Sequence, residues 1–421
     1  MIEDFTLEKL KTLAYDFQNI DHNSLFIQLF PSEIVDDFWL NETFKISEDA
    51  KELLIQILLI TYACDESIPG KIRNKELHFE NVFYSSEGKF DFYDEFNYLQ
   101  EGIIVQIIDI LQIKTLIFRD INYIYNFTSQ HNGVFSPSIK SISLVNIKIE
   151  FYQVRSLPDE FISNNSIEEL KFFDVSESLL PNDLTKMTGL KRIEYVSCHI
   201  EKLPLFNSYN KIEILSIEKS RIEVIDILNL NLINLKEINF ILGDIKEVIN
   251  LESAPHLRKI KIFKNKLKNI EIENLLFLEE LNVGKNLINQ FPVFNKNTQF
   301  IKKIDLSYNP IDLPSELPEF QNLEDLNLEK CIIETVDERF YSFKNVVRLN
   351  LRQNQIKKIS IPFNEFKRLA SINLEYNYLD SIVNSLNEIS NKNTEIRLLG
   401  NELSNNEKNN IINTDFKYLT L

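Results

Sequence analysis

The side chains able to do acid–base, nucleophilic or metal chemistry are few and scattered. His22, His78, His131, His199 and His256 stand singly, with no spacing at which two imidazoles could share a metal ion. Cys64, Cys198 and Cys331 form neither a paired metal-binding motif nor a disulfide framework, which fits a reducing, cytoplasmic setting. The phosphate-binding patterns G-x-x-x-x-G-K-[ST] and G-x-G-x-x-G, the zinc motif H-E-x-x-H and the nucleophile elbow G-x-S-x-G are all missing. Nothing therefore points to an enzyme, a cofactor, a resident metal or a small-molecule substrate.

What does recur at fixed spacing is asparagine set among aliphatic residues. In IKKIDLSYNPIDLP, residues 301–314, the apolar side chains fall at positions one, four, six, eleven and thirteen, with Asn309 at position nine. Those offsets match neither a helical period nor strict alternation. They do match other segments: LEELNVGKNLI from Leu278, VVRLNLRQNQI from Val346 and LASINLEYNYL from Leu369. Further copies start at Ile139, Ile167, Leu190, Ile212, Leu235, Leu257 and Leu323, with weaker ones at Ile113 and Asn393, thirteen in all. From Ile167 onward the steps are 21 to 24 residues, so one turn of chain is being stacked. Position nine holds Asn265, Asn286, Asn309, Asn354, Asn377 and Asn401, with Cys198, Ser220, Gly243 and Cys331 in other copies and Ile121, Ile147 and Val175 in the first three.

These residues resemble the leucine-rich repeat family, whose L-x-x-L-x-L-x-x-N/C-x-L pattern they follow over residues 113–403, about seventy per cent of the chain. The resemblance implies an α/β solenoid, a horseshoe whose parallel strands line its concave side. It also implies that each asparagine bonds backbone groups at the turn after the strand. It implies protein–protein binding as the general activity, although a fold does not name a ligand.

The divisions expected are an acidic, mainly helical N-terminal capping region over residues 1–110, the solenoid over 111–403 and a C-terminal cap over 404–421. The first is read from EDFTLEKLKTLAYDF and EDAKELLIQILLITYA, with apolar residues at helical spacing. Between it and the repeats, HFENVFYSSEGKFDFYDEFNYLQEG reads as irregular strands or a loop. The open end of a repeat stack exposes apolar interior and an unpaired strand edge, so caps are physically required. At the far end Ile411, Ile412, Phe416 and Leu419 are available to close the stack.

Charge is uneven. The net is −17, and residues 1–110 carry 22 acidic and 8 basic side chains, leaving 41 and 38 beyond. An anionic chain argues against phosphate-driven binding to nucleic acid or anionic lipid. The longest apolar runs, at 53–60 and 103–113, fall short of the ~18 residues that cross a bilayer. The N-terminus has acids where a secretory signal carries basic residues. Heavy use of Ile, Asn and Lys fits an AT-rich genome, such as a bacterial one.

The partner expected is therefore another protein, its identity open. Position seven is apolar at Phe173, Val196, Ile241 and Phe263, with Leu242 adjacent, and position eight supplies Tyr308 and Tyr376. These seven residues are the candidate partner contacts. A column of amides at position five, Asn239, Asn282, Asn327, Asn350 and Asn373 with Asp305 among them, reads as a solvated default of the repeat. The basic group Arg258, Lys259, Lys261, Lys264, Lys266 and Lys268 offers charge to an acidic partner. Two alternatives attach to the head. FPSEIVDDFWL, residues 30–40, resembles the opening of an F-box and so a ubiquitin-ligase adaptor, though Glu42 breaks the pattern; an acidic head would also suit an inhibitor of a basic protein or enzyme. Cys64 followed by Asp65 faintly resembles the catalytic pair of bacterial repeat-bearing ubiquitin ligases, but a buried structural thiol explains it better.

Overall fold

The computed structural model describes residues 76–80, 82–84, 89–92, 99–100, 114–119, 139–145 and 165–421, apart from 295–297 and 390. The helical stretches read in the head, its F-box-like segment, Cys64, and Ile121 and Ile147 lie outside the described residues. The chain divides into two units, one of residues 1–199 with 203–205 and the other of 200–202 with 206–421.

In the first unit the strands Glu76–Glu80, Thr115–Arg119, Ser141–Val145, Glu169–Phe173 and Arg192–Val196 pair side by side, all parallel and each in full five-residue register. Glu76–Glu80, which overlaps the start of the segment expected to form irregular strands or a loop, thus joins the parallel sheet. The neighbouring Val82–Tyr84, Lys89–Phe92 and Leu99–Gln100 form a small antiparallel sheet.

In the second unit ten strands follow the repeat. Ile214–Glu218, Glu237–Ile241 and Lys259–Phe263 have five residues. Glu280–Asn282, Lys303–Asp305, Asp325–Asn327, Arg348–Asn350, Ser371–Asn373, Glu395–Arg397 and Tyr418–Thr420 have three. Each pairs in parallel with the next. Positions four and six, such as Ile304 and Leu306, are buried, and their neighbours in the strand face the other way. This is the period-two alternation of a sheet packed on one side.

The return half of each repeat is short and irregular. It contains single turns of 3-10 helix such as Leu251–Ser253 and Phe363–Glu365, and two side pairs, Val224–Asp226 with Glu247–Ile249 and Thr335–Val336 with Lys358–Ile359. Phenylalanines thicken this layer: the Phe320 and Phe343 rings stack at 5.4 Å, and Phe291 meets both. At the C-terminal end the helix Asn405–Ile412 is capped by Ser404, which accepts from the Glu407 N–H at 3.1 Å. The Glu407 carboxylate does not complete the usual reciprocal bond. It accepts from the Ile382 and Val383 N–H groups at 2.7 and 2.9 Å, pinning the helix to the preceding repeat. Ile411 and Phe416 are buried as expected of a closing element, but Ile412 is exposed, because it falls on the helix's outer side.

The position-nine asparagines do what the resemblance implies. The Asn309 amide donates to the carbonyls of Val283 and Leu306, both at 2.9 Å, and its oxygen accepts from the Ile288 N–H at 3.0 Å. Asn286, Asn354, Asn377 and Asn401 repeat the arrangement one turn at a time. Where cysteine replaces asparagine, its thiol donates instead, Cys331 to the Leu306 carbonyl at 3.2 Å and Cys198 to that of Phe172 at 3.3 Å. Burial pushes the Cys331 thiol up to about 12 and raises Cys198 as well, so both stay protonated donors.

Candidate protein-binding face

Two backbone devices shape the open face of the sheet. First, position eight is left-handed in repeat after repeat: Asp174, Ser197, Lys219, Leu242, Lys264, Lys285, Tyr308, Lys330, Gln353 and Tyr376 all have φ between 53° and 59°. This region is costly for any residue with a Cβ. It is held where the position-eight N–H donates to the position-seven carbonyl of the next repeat, as Tyr308 does to Glu329 at 2.7 Å and Lys285 to Ser307 at 2.8 Å. The left-handed turn throws the position-eight side chain onto the rim above the strands' C-terminal ends. In the two cysteine repeats position ten is left-handed too, at His199 and Ile332.

Second, the column of amides at position five has a structural duty and is not a solvated default. The oxygens of Asn282, Asp305, Asn327, Asn350 and Asn373 each accept from the N–H two residues on, at 3.0 to 3.2 Å. These are Asx turns. They end the strand at position five, which is why these repeats have three-residue strands. Asn239, in a five-residue strand, donates across to the Ser216 hydroxyl and back along its own strand to the Glu237 carboxylate.

The seven contact candidates divide between the units. Phe173 lies opposite Val196 in the first, and Ile241 opposite Phe263 in the second. All four are half-buried by their neighbours. Leu242 follows on the rim. Tyr308 and Tyr376 are joined to Phe263, in the same unit, by residues not singled out as contacts. The Lys285 ammonium sits 5.5 Å from the centre of the Phe263 ring and 4.9 Å from that of Tyr308, with Lys330 5.3 Å from Tyr308 on its other side. Gly284 leaves room for this, since a Cβ there would crowd the Phe263 ring at 3.3 Å and Ser307 Oγ at 3.0 Å. The Tyr308 hydroxyl donates to Glu329 at 3.2 Å, and that carboxylate holds it above its ordinary value. Glu329 in turn pairs with Arg352 at 2.7 Å, while Arg352 reaches Glu375 at 3.4 Å and lies over the Tyr376 ring at 4.8 Å. The periodic pattern showed position eight as a column but not that its lysines and tyrosines interlock.

Half of the basic group read from sequence is taken up in ion pairs, Arg258 with Glu279, Lys259 with Glu280 and Lys266 with Asp244, while Lys261, Lys264 and Lys268 form none among the described residues. Among the described residues no cluster of three or more His, Cys, Asp or Glu side chains is placed to hold a metal ion. No helix among them is long and apolar enough to cross a membrane.

No protein-family model matches the sequence, and no curated protein does. Solved structures do match. A leucine-rich repeat protein of Leptospira interrogans is 18% identical, covering 75% of this chain and 92% of the other, with a TM-score of 0.55. A chain of the Toll–Spatzle complex of Drosophila is 16% identical, covering 77% of this chain, with a TM-score of 0.52. The alignment spans about half of that chain, 51%. The fold is a leucine-rich repeat solenoid. At such low identity the likeness speaks for the fold, and the repeat's internal asparagine bonds reach the same answer independently. Within the solenoid the open sheet face and its rim remain the surface on which ordered side chains are presented.

Proposed function

We propose that this protein is a non-enzymatic recognition scaffold that meets a protein partner on the open, concave face of its repeat sheet. The observation that carries the proposal is the linked set Phe263, Lys285, Tyr308, Lys330, Glu329, Arg352 and Tyr376, in which rings and charges hold one another in place. Aromatic side chains braced by neighbours of their own chain lose less entropy on docking, so they suit an interface. Half-buried Ile241 and Phe263 add apolar contact area to this set in the second unit, and half-buried Phe173 and Val196 form an apolar pair in the first unit. The related Toll structure is itself a complex with a protein, Spatzle, which supports the same class of partner here.

Affinity capture from the native cell with quantitative mass spectrometry tests this. The intact chain and a Val293→Ser control should enrich the same protein, and Phe173→Ser/Phe263→Ser should lose at least about five-fold of it. Val293 is exposed and lies in the return half of its repeat. Equal capture by the double variant would sink the proposal.

A further inference from the structure

We infer that the rim carrying Lys264, Lys285 and Lys330 is a subsite for an acidic, aromatic-containing segment of the partner protein. The inference rests on the reading that the open face meets a protein. Its own basis is the charge arrangement. Most other cations flanking these strands are spoken for, Lys261 and Lys268 apart: Lys236 by Glu213, Arg258 and Lys302 by Glu279, Lys259 and Lys303 by Glu280, Arg348 by Asp325, Arg352 by Glu329 and Glu375. Lys264, Lys285 and Lys330 form no ion pair among the described residues, and all three side chains are exposed. Other exposed lysines such as Lys211, Lys357 and Lys367 lie at scattered places in their repeats, whereas Lys264, Lys285 and Lys330 share one repeat position and so concentrate positive charge in a chain of net charge −17.

The carboxylates on the same stretch are already committed. Glu329 is held by Arg352 at 2.7 Å, and Asp305 accepts from the Ser307 hydroxyl at 2.6 Å and its N–H at 3.0 Å. The left-handed backbone at each of the three lysines, φ 55° to 56°, fixes them on the rim in one line. From Lys264 to Lys330 is three strand spacings, about 14 Å, which about four residues of extended peptide would span. Two of the ammonium groups lie over the Phe263 and Tyr308 rings, so the row alternates charge with aromatic surface. A segment alternating carboxylates with aromatic or apolar side chains complements both.

The test uses the intact chain and a fluorescein-labelled decapeptide alternating Glu and Tyr, read by fluorescence anisotropy. Its Gln–Tyr counterpart and a ten-nucleotide oligothymidylate serve as comparison probes. Each exposed pair is worth a factor of about 1.5 to 5, so Lys264→Glu/Lys285→Glu/Lys330→Glu should weaken the Glu–Tyr peptide by roughly ten-fold or more. Lys211→Glu/Lys357→Glu/Lys367→Glu, an equal change of charge at exposed lysines off the rim, should leave it within two-fold of the parent, on the order of experimental scatter. Binding should also fall as salt is raised past about 0.1 M, where screening acts over ~10 Å. The inference is overturned if the parent does not bind the Glu–Tyr peptide, if the Gln–Tyr peptide binds as well, if the two triple variants behave alike, or if the oligonucleotide binds more tightly than the peptide. Loss of protein capture by Phe173→Ser/Phe263→Ser with no peptide binding would remove the acidic subsite alone. Peptide binding lost on the rim variant with capture unchanged would keep the subsite and remove the wider reading of the face.

Discussion

Replacing Asn309 with alanine removes one side chain and leaves one buried backbone group without a partner. Among the described contacts, the Ile288 N–H is met by the Asn309 oxygen alone, whereas the Val283 carbonyl, which accepts from the Asn309 amide, also accepts from the Asn286 amide at 2.8 Å. The Leu306 carbonyl likewise keeps the Cys331 thiol at 3.2 Å. At about 1 to 3 kcal/mol for the orphaned N–H and about 1 kcal/mol for each of the two bonds the carbonyls lose, the expected loss is about 3 to 5 kcal/mol. Cys331→Ala is the internal comparison. It removes a weak donor from the same Leu306 carbonyl, which still has the Asn309 amide at 2.9 Å, so about 1 kcal/mol is expected. Urea unfolding gives the two energies. Since each repeat contacts mainly its neighbours, hydrogen exchange followed by mass spectrometry should localise the damage, with protection lost at the Ile288 amide first. Equal costs for the two substitutions, or an Ile288 amide that stays as protected as before, would refute the assignment of these bonds.

Two further substitutions probe the solenoid. Tyr195 is fully buried against Phe172, and its hydroxyl has no hydrogen-bond partner among the described residues; Tyr195→Phe should therefore be neutral or stabilising by about 1 kcal/mol in thermal unfolding, and a clear loss would mean the hydroxyl is bonded. Gly400 is the one glycine at position eight, with φ 77°, and a Cβ there would sit 2.6 Å from Cδ1 of the Tyr376 ring. Gly400→Ala should cost about 1 to 2 kcal/mol from the backbone alone, and should displace the Tyr376 ring as read by fluorescence or NMR; an unmoved ring at no cost would contradict this packing.

The repeat was legible because its signal is redundant. A period of 21 to 24 residues, written in aliphatic side chains and asparagines, is repeated often enough that single departures such as Val175 or Gly243 do not hide it. The alternation of buried Ile304 and Leu306 with outward Asp305 follows from that period and from the geometry of a strand. The contact candidates Phe173, Val196, Ile241 and Phe263 were legible as a column for the same reason, but not their half-burial, which depends on how far each neighbour leans across.

Position eight marks the boundary between the two kinds of information. Lysine, tyrosine, glutamine, leucine, serine and aspartate all stand there, and none of them announces a left-handed backbone as glycine does at Gly400. The amino-acid sequence by itself determined a stacked repeat, its core side chains and its asparagine ladder, because those are local patterns multiplied many times. Only the tertiary structure decided that position eight turns left-handed, that the position-five amides end their strands, and that Lys285 and Lys330 flank Tyr308. The first and third are set by hydrogen bonds or contacts to the next repeat some 21 to 23 residues away, partners that come together only once the coils are stacked; the second is a bond two residues on whose place is fixed by where strand pairing stops.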